Sequence, residues 1–356
     1  ECLEVPLTYF EFGTLAVMSL FISHKVDVAI LEVGLGGRLD AVNVFDSDCA
    51  VVTSVDIDHV DYLGDTREKI AFEKAGIFRK GRVAICADAD VPQALRSHAR
   101  EIGAELWCLG SEFGFNLPSP ASGGGVGGEG RGDEAQVIDV PPTLSLALSR
   151  QREREQMPGQ WNFFSKVGVR NSLPFPALRG AFQLHNASAV LAVLDALKDR
   201  LPVSMNAVRR GLVEVQLAGR FQFVPGKPQL ILDVAHNPHA ARSLAQNLAD
   251  LPPCPQTLAV FAMLKDKDMA GVVATLDPHI DTWLVAGIAA PRGATADELA
   301  QVLRQGGVRG EIKTFENVAA ALRYAYNAAG ENDRIAAFGS FHTVAEAMDS
   351  IGVQVA

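Results

Sequence analysis

The run Glu32-Val33-Gly34-Leu35-Gly36-Gly37-Arg38-Leu39-Asp40-Ala41-Val42-Asn43 sets a carboxylate, three glycines, a guanidinium and a second carboxylate behind an apolar stretch, Val28 to Leu31. That order predicts a buried strand delivering an acid to its carboxyl end, where bare backbone lets a ligand approach. Open α/β sheets bind ligands at that edge. A second apolar run ends in Thr53-Ser54-Val55-Asp56-Ile57-Asp58-His59-Val60-Asp61 and predicts a similar strand end. Glu32 and His59, on neighbouring strand ends, would offer a hard and a borderline donor to one divalent cation. The glycines alone decide little, because a glycine cluster after a strand also reads as a tight turn. With Leu39 where a third glycine should stand, the run departs from G-x-G-x-x-G and argues against a nicotinamide dinucleotide.

The elements that must position these groups follow an α/β alternation. A helix is expected over Thr8 to His24, where Phe10, Phe12, Leu15, Val17, Met18, Leu20 and Phe21 read as core. Strands near 27–33 and 49–54, a helix over 66–77 and a strand near 82–87 then suggest parallel βα units. Residues 114–160 break the pattern. The glycine-rich tract from Ser122 to Gly130 and the mixed charge from Gln151 to Gln156 read as a flexible surface insertion without chemistry. The Arg131-Gly132-Asp133 triplet inside it reads as chance. Order resumes with a helix near 182–199, and a second α/β pattern starts around Arg220. It comprises an apolar strand from Leu230 to Leu232, a helix near 239–250, a strand near 257–263 and further alternation to Phe338. Gly219 offers a hinge for a domain boundary near 215–219.

A chain of 356 residues is long enough for two domains with separate cores. Its net charge of −10 argues against non-specific nucleic-acid binding, while a local basic patch stays compatible with anionic substrates. Five scattered cysteines (Cys2, Cys49, Cys86, Cys108, Cys254) form no C-x-x-C pair and read as reduced thiols of a cytoplasmic protein. No apolar run approaches the roughly 20 residues that span a bilayer, so no membrane partner is expected. The start, Glu1-Cys2-Leu3-Glu4, is acidic where a signal peptide is basic, and it lacks a methionine. The chain is therefore expected to begin inside a longer protein.

Further runs accumulate in order: Leu7-Thr8-Tyr9-Phe10-Glu11-Phe12-Gly13-Thr14, the glycine run above, and Asp58-His59-x-Asp61-Tyr62-Leu63-Gly64. After Glu68-Lys69-Ile70-Ala71-Phe72-Glu73-Lys74-Ala75-Gly76-Ile77-Phe78-Arg79 come His185-Asn186-Ala187, Gly219-Arg220-Phe221, Asp233-Val234-Ala235-His236-Asn237-Pro238 and Gly339-Ser340-Phe341-His342-Thr343. Outside 114–160, these runs closely resemble the bacterial dihydrofolate synthase/folylpolyglutamate synthase family of the Mur ligase superfamily. The resemblance implies an α/β architecture: a P-loop-type, parallel-sheet ATP-binding central domain over 1–217 and a smaller, Rossmann-like C-terminal domain over 218–356. It implies an ATP-dependent ligase that adds L-glutamate to dihydropteroate and to the tail of tetrahydrofolate, acting as a monomer that closes a cleft. The substrate carboxylate takes the γ-phosphate of ATP, and the amino group of glutamate attacks the resulting acyl phosphate.

Site residues follow from the same resemblance. Glu32 and His59 would hold Mg²⁺, and Lys74, carbamylated to an anion, would hold a second ion; Lys74 and His59 thus carry the chemistry. Carbamylation needs a neutral amine, so Lys74 should sit where its pKa is lowered; without that context it reads as a solvated helix lysine. Asn186 would meet ATP on the adenine side and Arg220 on the phosphate side, where its planar fork pairs with oxygens. Asp233 would accept hydrogen bonds from ribose hydroxyls, and His236 would contact the nucleotide. A metal pair His236-x-x-His239 is discounted for want of a third ligand. Lys265 reads as a substrate-side cation or a solvated turn, and Ser340 as a glutamate contact or a helix N-cap.

The match departs from the family at one point. No G-x-x-x-x-G-K-[ST] run occurs, since Gly226-Lys227 is followed by proline. That loop supplies the amide cradle, the phosphate lysine and a hydroxyl for Mg²⁺, and the usual folate-binding loop lies beside it. The expectation is that this polypeptide alone does not turn over ATP. Two alternatives stand beside the ligase: a non-catalytic remnant binding nucleotide or folate, and another Mur-type amide ligase.

Overall fold

The computed structural model describes residues 5–117, 159–180 and 182–353. Most of the expected insertion lies outside those residues, but its ends do not. Strands β4 (Phe113–Asn116) and β5 (Gln160–Ser165) pair antiparallel across it, with Asn116 opposite Asn162, and β6 (Gly168–Pro174) lies beside β5. The irregular composition had hidden strand ends that Phe113, Trp161 and Phe163 pin by complete burial.

The described residues form two compact units, one from 5–117, 162–171 and 185–204, the other from 159–161, 172–184 and 205–353. In the first, β1 (Cys49–Val52), β2 (Val83–Cys86) and β3 (Glu105–Cys108) make a parallel sheet in that order. Helix α1 spans Tyr9–His24, α2 Val60–Leu63, α3 Arg67–Ala75 and α4 Gln93–Ile102. Ile70, Ala71 and Ala75 of α3 and Leu95 and Ala99 of α4 pack with Val52, Ala84 and Cys86 of the sheet. Burial pushes the Cys49 and Cys86 thiols up to about 12 and Cys108 to about 11, so they behave as small apolar groups.

Two expectations fail here. Residues 27–33 form no strand: the segment is irregular, no described strand pairs with it, and Ile30 is 90% exposed. An apolar run becomes a strand only when a neighbour completes its ladder. Helix α1 forms as expected, begun by a capping box between Thr8 and Glu11 and ended at Lys25 in the left-handed region. Yet none of its residues is buried. It is apolar around its whole circumference, which calls for cover on every side, and among the described elements it packs mainly on the turn Ala41–Val44.

The second unit holds a six-stranded sheet. Strands β7 (Gln222–Val224), β8 (Gln229–Asp233), β9 (Thr257–Phe261), β10 (Thr282–Ala286), β11 (Glu311–Phe315) and β12 (Arg334–Phe338) lie in the order β11-β10-β9-β12-β8-β7. All pairs are parallel except β7 with β8. Alternate side chains enter two cores. Ile231, Phe261, Trp283 and Phe338 face one side, and Leu230, Leu232, Val260, Leu284 and Ile335 the other. Burial on both faces explains why these strands read as unbroken apolar runs. Phe261, Trp283 and Phe338 meet with ring centroids 5.4–6.1 Å apart, a geometry that adds to their area burial.

Helices α5 (Phe182–Ala196) and α6 (Met205–Glu214) precede this sheet; α7 (Pro238–Ala249), α8 (Met269–Leu276), α9 (Ala296–Gln305), α10 (Val318–Ala328) and α11 (Phe341–Ser350) are interleaved with it. Gly226-Lys227 sits in a bend between β7 and β8, with a cis Lys227–Pro228 bond, and not at a strand-to-helix turn. No described helix is long and apolar enough to cross a membrane.

Candidate functional site

In the first unit the glycine run is fastened to the helix that carries Lys74. A Cβ on Gly37 would lie 2.8 Å from the Glu73 carbonyl oxygen and 3.0 Å from that of Lys74, and one on Gly76 would lie 2.4 Å from Arg38 Cβ. Only glycine permits so close an approach of loop to helix. The Arg38 amide donates to the Glu73 carbonyl at 2.8 Å, and its guanidinium grips the Glu73 carboxylate, with Nη2 to Oε1 at 2.9 Å. Asn43 Nδ2 bridges the carbonyls of Arg38 and Gly76. Asp40 accepts from the Leu35 and Val42 amides and starts the short turn that follows. Most of the run therefore builds the loop; Glu32 lies just before it, exposed, on the irregular stretch and not at a strand end.

His59 lies seven residues beyond β1, immediately before α2, with φ at 51°. A non-glycine residue in the left-handed region is a local cost that clusters at functional sites. Asp58 Oδ1 accepts the His59 amide at 2.8 Å and lies 3.9 Å from His59 Nε2. Lys74, on the last turn of α3, shares this corner. Burial pushes its ammonium below the usual lysine value, and the Asp58 carboxylate opposes that shift. The expected depression of Lys74 is thus observed in direction. Asp58 offers this corner a hard oxygen donor and His59 a borderline nitrogen. No cage of three or more His, Cys, Asp or Glu side chains stands among the described residues, and Mg²⁺ sites seldom use one. Asp58, in the same Asp-His run, was not singled out from the sequence.

In the second unit, register gathers the expected residues. Phe338 at the end of β12 is level with Asp233 of β8 on one side and Phe261 of β9 on the other. The three adjacent carboxyl ends thus carry Asp233 and His236, Ser340, and Lys265 into one edge. Asp233 Oδ2 accepts the Phe221 amide at 2.9 Å and Oδ1 the Ala235 amide at 2.8 Å. Burial nevertheless pushes its carboxyl up to about 6, against those two bonds and the nearby Arg220 charge. The exposed Arg220 guanidinium lies 5.6 Å from the Phe341 ring centroid, and the His236 ring lies 6.1 Å from it. His236 Nδ1 meets the Val234 carbonyl at 2.8 Å, which requires a proton on Nδ1 and turns Nε2 outward as the other ring nitrogen. Phe341 is 60% exposed; as an aromatic next to a cap it gave no separate signal in the sequence.

The remaining residues divide. Ser340 is buried, and its hydroxyl accepts the Thr343 amide at 3.0 Å and meets Thr343 Oγ1 at 2.7 Å, so the cap reading is observed. Lys265 Nζ reaches Glu298 at 2.8 Å and stays half exposed. His239 packs its ring edge-on to Phe182. Asn186 is exposed on the first half of α5, in the turn after His185.

Comparison with known proteins matches residues 7–115 to the Mur ligase middle domain and residues 219–341 to the Mur ligase glutamate ligase domain. The dihydrofolate synthase/folylpolyglutamate synthase of Escherichia coli is 39% identical over 348 residues, covering 98% of this chain and 70% of that protein. Its counterpart in Haemophilus influenzae is 36% identical, with 96% and 72% covered. Among solved structures, E. coli FolC in complex with DHPP and ADP superposes with a TM-score of 0.82 at 39% identity over 98% of this chain and 72% of that one. The Yersinia pestis bifunctional enzyme complexed with AMPPNP and Mn ion gives 0.79 at 40% identity, with 98% and 72% covered.

Proposed function

The chain belongs to the dihydrofolate synthase/folylpolyglutamate synthase family of Mur ligases, and on that premise we propose how its residues serve ATP-dependent ligation of L-glutamate to dihydropteroate and to the folate tail. The observation that carries the activity is 39% identity across 98% of the chain to an enzyme of that name, with both Mur ligase modules in order. Start of the glutamate ligase module at residue 219 supports the boundary near 215–219 and the division into 1–217 and 218–356.

Phosphoryl transfer depends on positioning and on neutralising phosphate oxygens. Bound Mg²⁺ supplies much of that neutralisation. Glu32 and His59 would hold one ion. Lys74 would hold a second once its neutral Nζ has added to carbon dioxide, forming an N–C bond and releasing one proton to leave a carbamate anion. Arg220 pairs with phosphate oxygens, Asp233 accepts from ribose hydroxyls, His236 presents Nε2 to the nucleotide, and Asn186 meets the adenine. Lys265 serves the anionic glutamate from its half-exposed position, and the Ser340 cap holds the start of α11 beside it. Free thiols at Cys49, Cys86, Cys108 and Cys254 agree with a reducing cytoplasm, and the enzyme acts as a monomer.

The test is product formation. The natural gene product carrying these residues, given ATP, Mg²⁺, L-glutamate and dihydropteroate, should release ADP and yield dihydropteroate joined to one glutamate by mass. ADP release independent of glutamate, or no joined product, would overturn the proposal.

A further inference from the structure

Asp88, two residues past β2, is a carboxylate with only 9% of its surface exposed. Its Oδ2 accepts the Val55 amide at 2.7 Å and Arg67 Nη2 at 3.1 Å, and its Oδ1 accepts the Asp90 amide at 2.9 Å. Arg67, the first residue of α3, returns to the same place: its Nε donates to the Val55 carbonyl at 2.8 Å. Asp90 steadies the guanidinium from outside through its side chain at 2.6 Å and its carbonyl at 2.8 Å. Both backbone groups of Val55 are therefore held by one ion pair, four residues before His59. The same helix presents Lys74 two turns later.

An ion pair between a buried carboxylate and a guanidinium one-third exposed is a poor device for stability alone, because desolvation of the carboxylate cancels much of the attraction. What it does supply is direction. The Arg67 fork meets acceptors of three residues on two backbone segments at once, a task for a planar guanidinium and not for an ammonium. The loop it holds carries His59 in a backbone conformation that costs energy, and such conformations persist only where surroundings over-determine them. His185 on α5 also feels the Asp88 charge.

We propose that Arg67 and Asp88 form a positioning unit that fixes the loop between β1 and His59 on helix α3 and so sets how His59 is presented to the divalent cation. This rests on the assignment of His59 as a metal ligand. Neither residue touches the cation or the substrate; both act through Val55.

The experiment uses the full chain and Mn²⁺ as the probe, with two readouts: Mn²⁺ affinity by electron paramagnetic resonance, and amide hydrogen exchange of the 53–59 segment. Asp88→Asn and Arg67→Lys should both speed exchange at Val55 and weaken Mn²⁺ binding about tenfold or more, the usual cost of losing a supporting group behind a metal ligand. Asp90→Asn, which trims only the exposed arm, should change neither. His59→Ala is measured in parallel. Unchanged Mn²⁺ binding in His59→Ala overturns the ligand assignment and the proposal with it. Weakened binding in His59→Ala with wild-type affinity in Arg67→Lys overturns the positioning role alone. Should Asp88→Asn fail to fold, Arg67→Lys, which keeps the charge, decides the question.

Discussion

Lys74 and Asp233 carry opposite charges, and burial drives both toward neutrality. For Asp233 the consequence is a measurable pH dependence. Its folded value of about 6 stands above the ordinary aspartate value of 3.8, so between those limits the native state keeps a proton that the unfolded chain releases. Stability should therefore fall as pH rises from about 4 to about 6, by at most about 3 kcal/mol, and level off above. In Asp233→Asn that slope should vanish from a Tm-against-pH profile, whatever the constant offset from losing one of two accepted amides. For Lys74 the sign reverses: a depressed lysine penalises the native state at low pH, and the penalty eases as pH rises. A neutral amine is also the form that captures carbon dioxide. Acylating reagents should label Lys74 more slowly in bicarbonate-saturated than in bicarbonate-free buffer, while exposed Lys69, paired with Asp65, should label equally in both. Equal labelling of Lys74 would remove the carbamate from the mechanism. Ser340→Ala tests a residue at the same sheet edge as Asp233. Loss of the cap should cost about 1 kcal/mol in urea unfolding; an added loss of glutamate affinity would show that the hydroxyl also reaches substrate.

Elements differ in how far the sequence revealed them, and the reason is where each one's partners lie. Strands β2, β8 and β9 were legible because unbroken apolar runs bounded by polar residues mark strands buried on both faces, and β1 by the same kind of run although its Val51 stays exposed. Helices α3 and α7 were legible because Thr66 and Asn237 announce them as side-chain caps. The stretch 27–33 misled because apolar content does not say whether a ladder partner is present, and α1 misled because an apolar circumference does not say what covers it. Strands β4 and β5 were lost against the composition of what separates them. Within the site, the glycine run was recognised as important, but its residues act chiefly by holding a loop against α3, which no spacing rule shows. Gly76 is the sharpest case, because any side chain there meets Arg38 at 2.4 Å. Gly76→Ala should lower stability by about 1–3 kcal/mol, seen as a shifted urea midpoint at unchanged slope, and should loosen amides of the loop from Leu35 to Asp40.

On the scale of the molecule, the six-stranded sheet carries both of its cores within residues 218–353. A polypeptide of residues 216–353 should therefore fold by itself, with one cooperative urea transition and the near-ultraviolet signal of buried Trp283. Two separate transitions would show that the cores are not a single unit. The order β11-β10-β9-β12-β8-β7 has a further result for how this protein is made. Strand β12, last of the sheet to leave the ribosome, is also its seam, pairing β9 on one side and β8 on the other. Until residues 334–338 emerge, the nascent chain holds two sheet fragments with open edges, the kind of surface that invites mispairing between neighbours. Asp233 and Phe261 are brought level only when that strand slides between them. A premature stop codon before Arg334 thus removes more than its missing residues: it leaves the carboxyl edge of the sheet unassembled, and the truncated product belongs to chaperones and proteases.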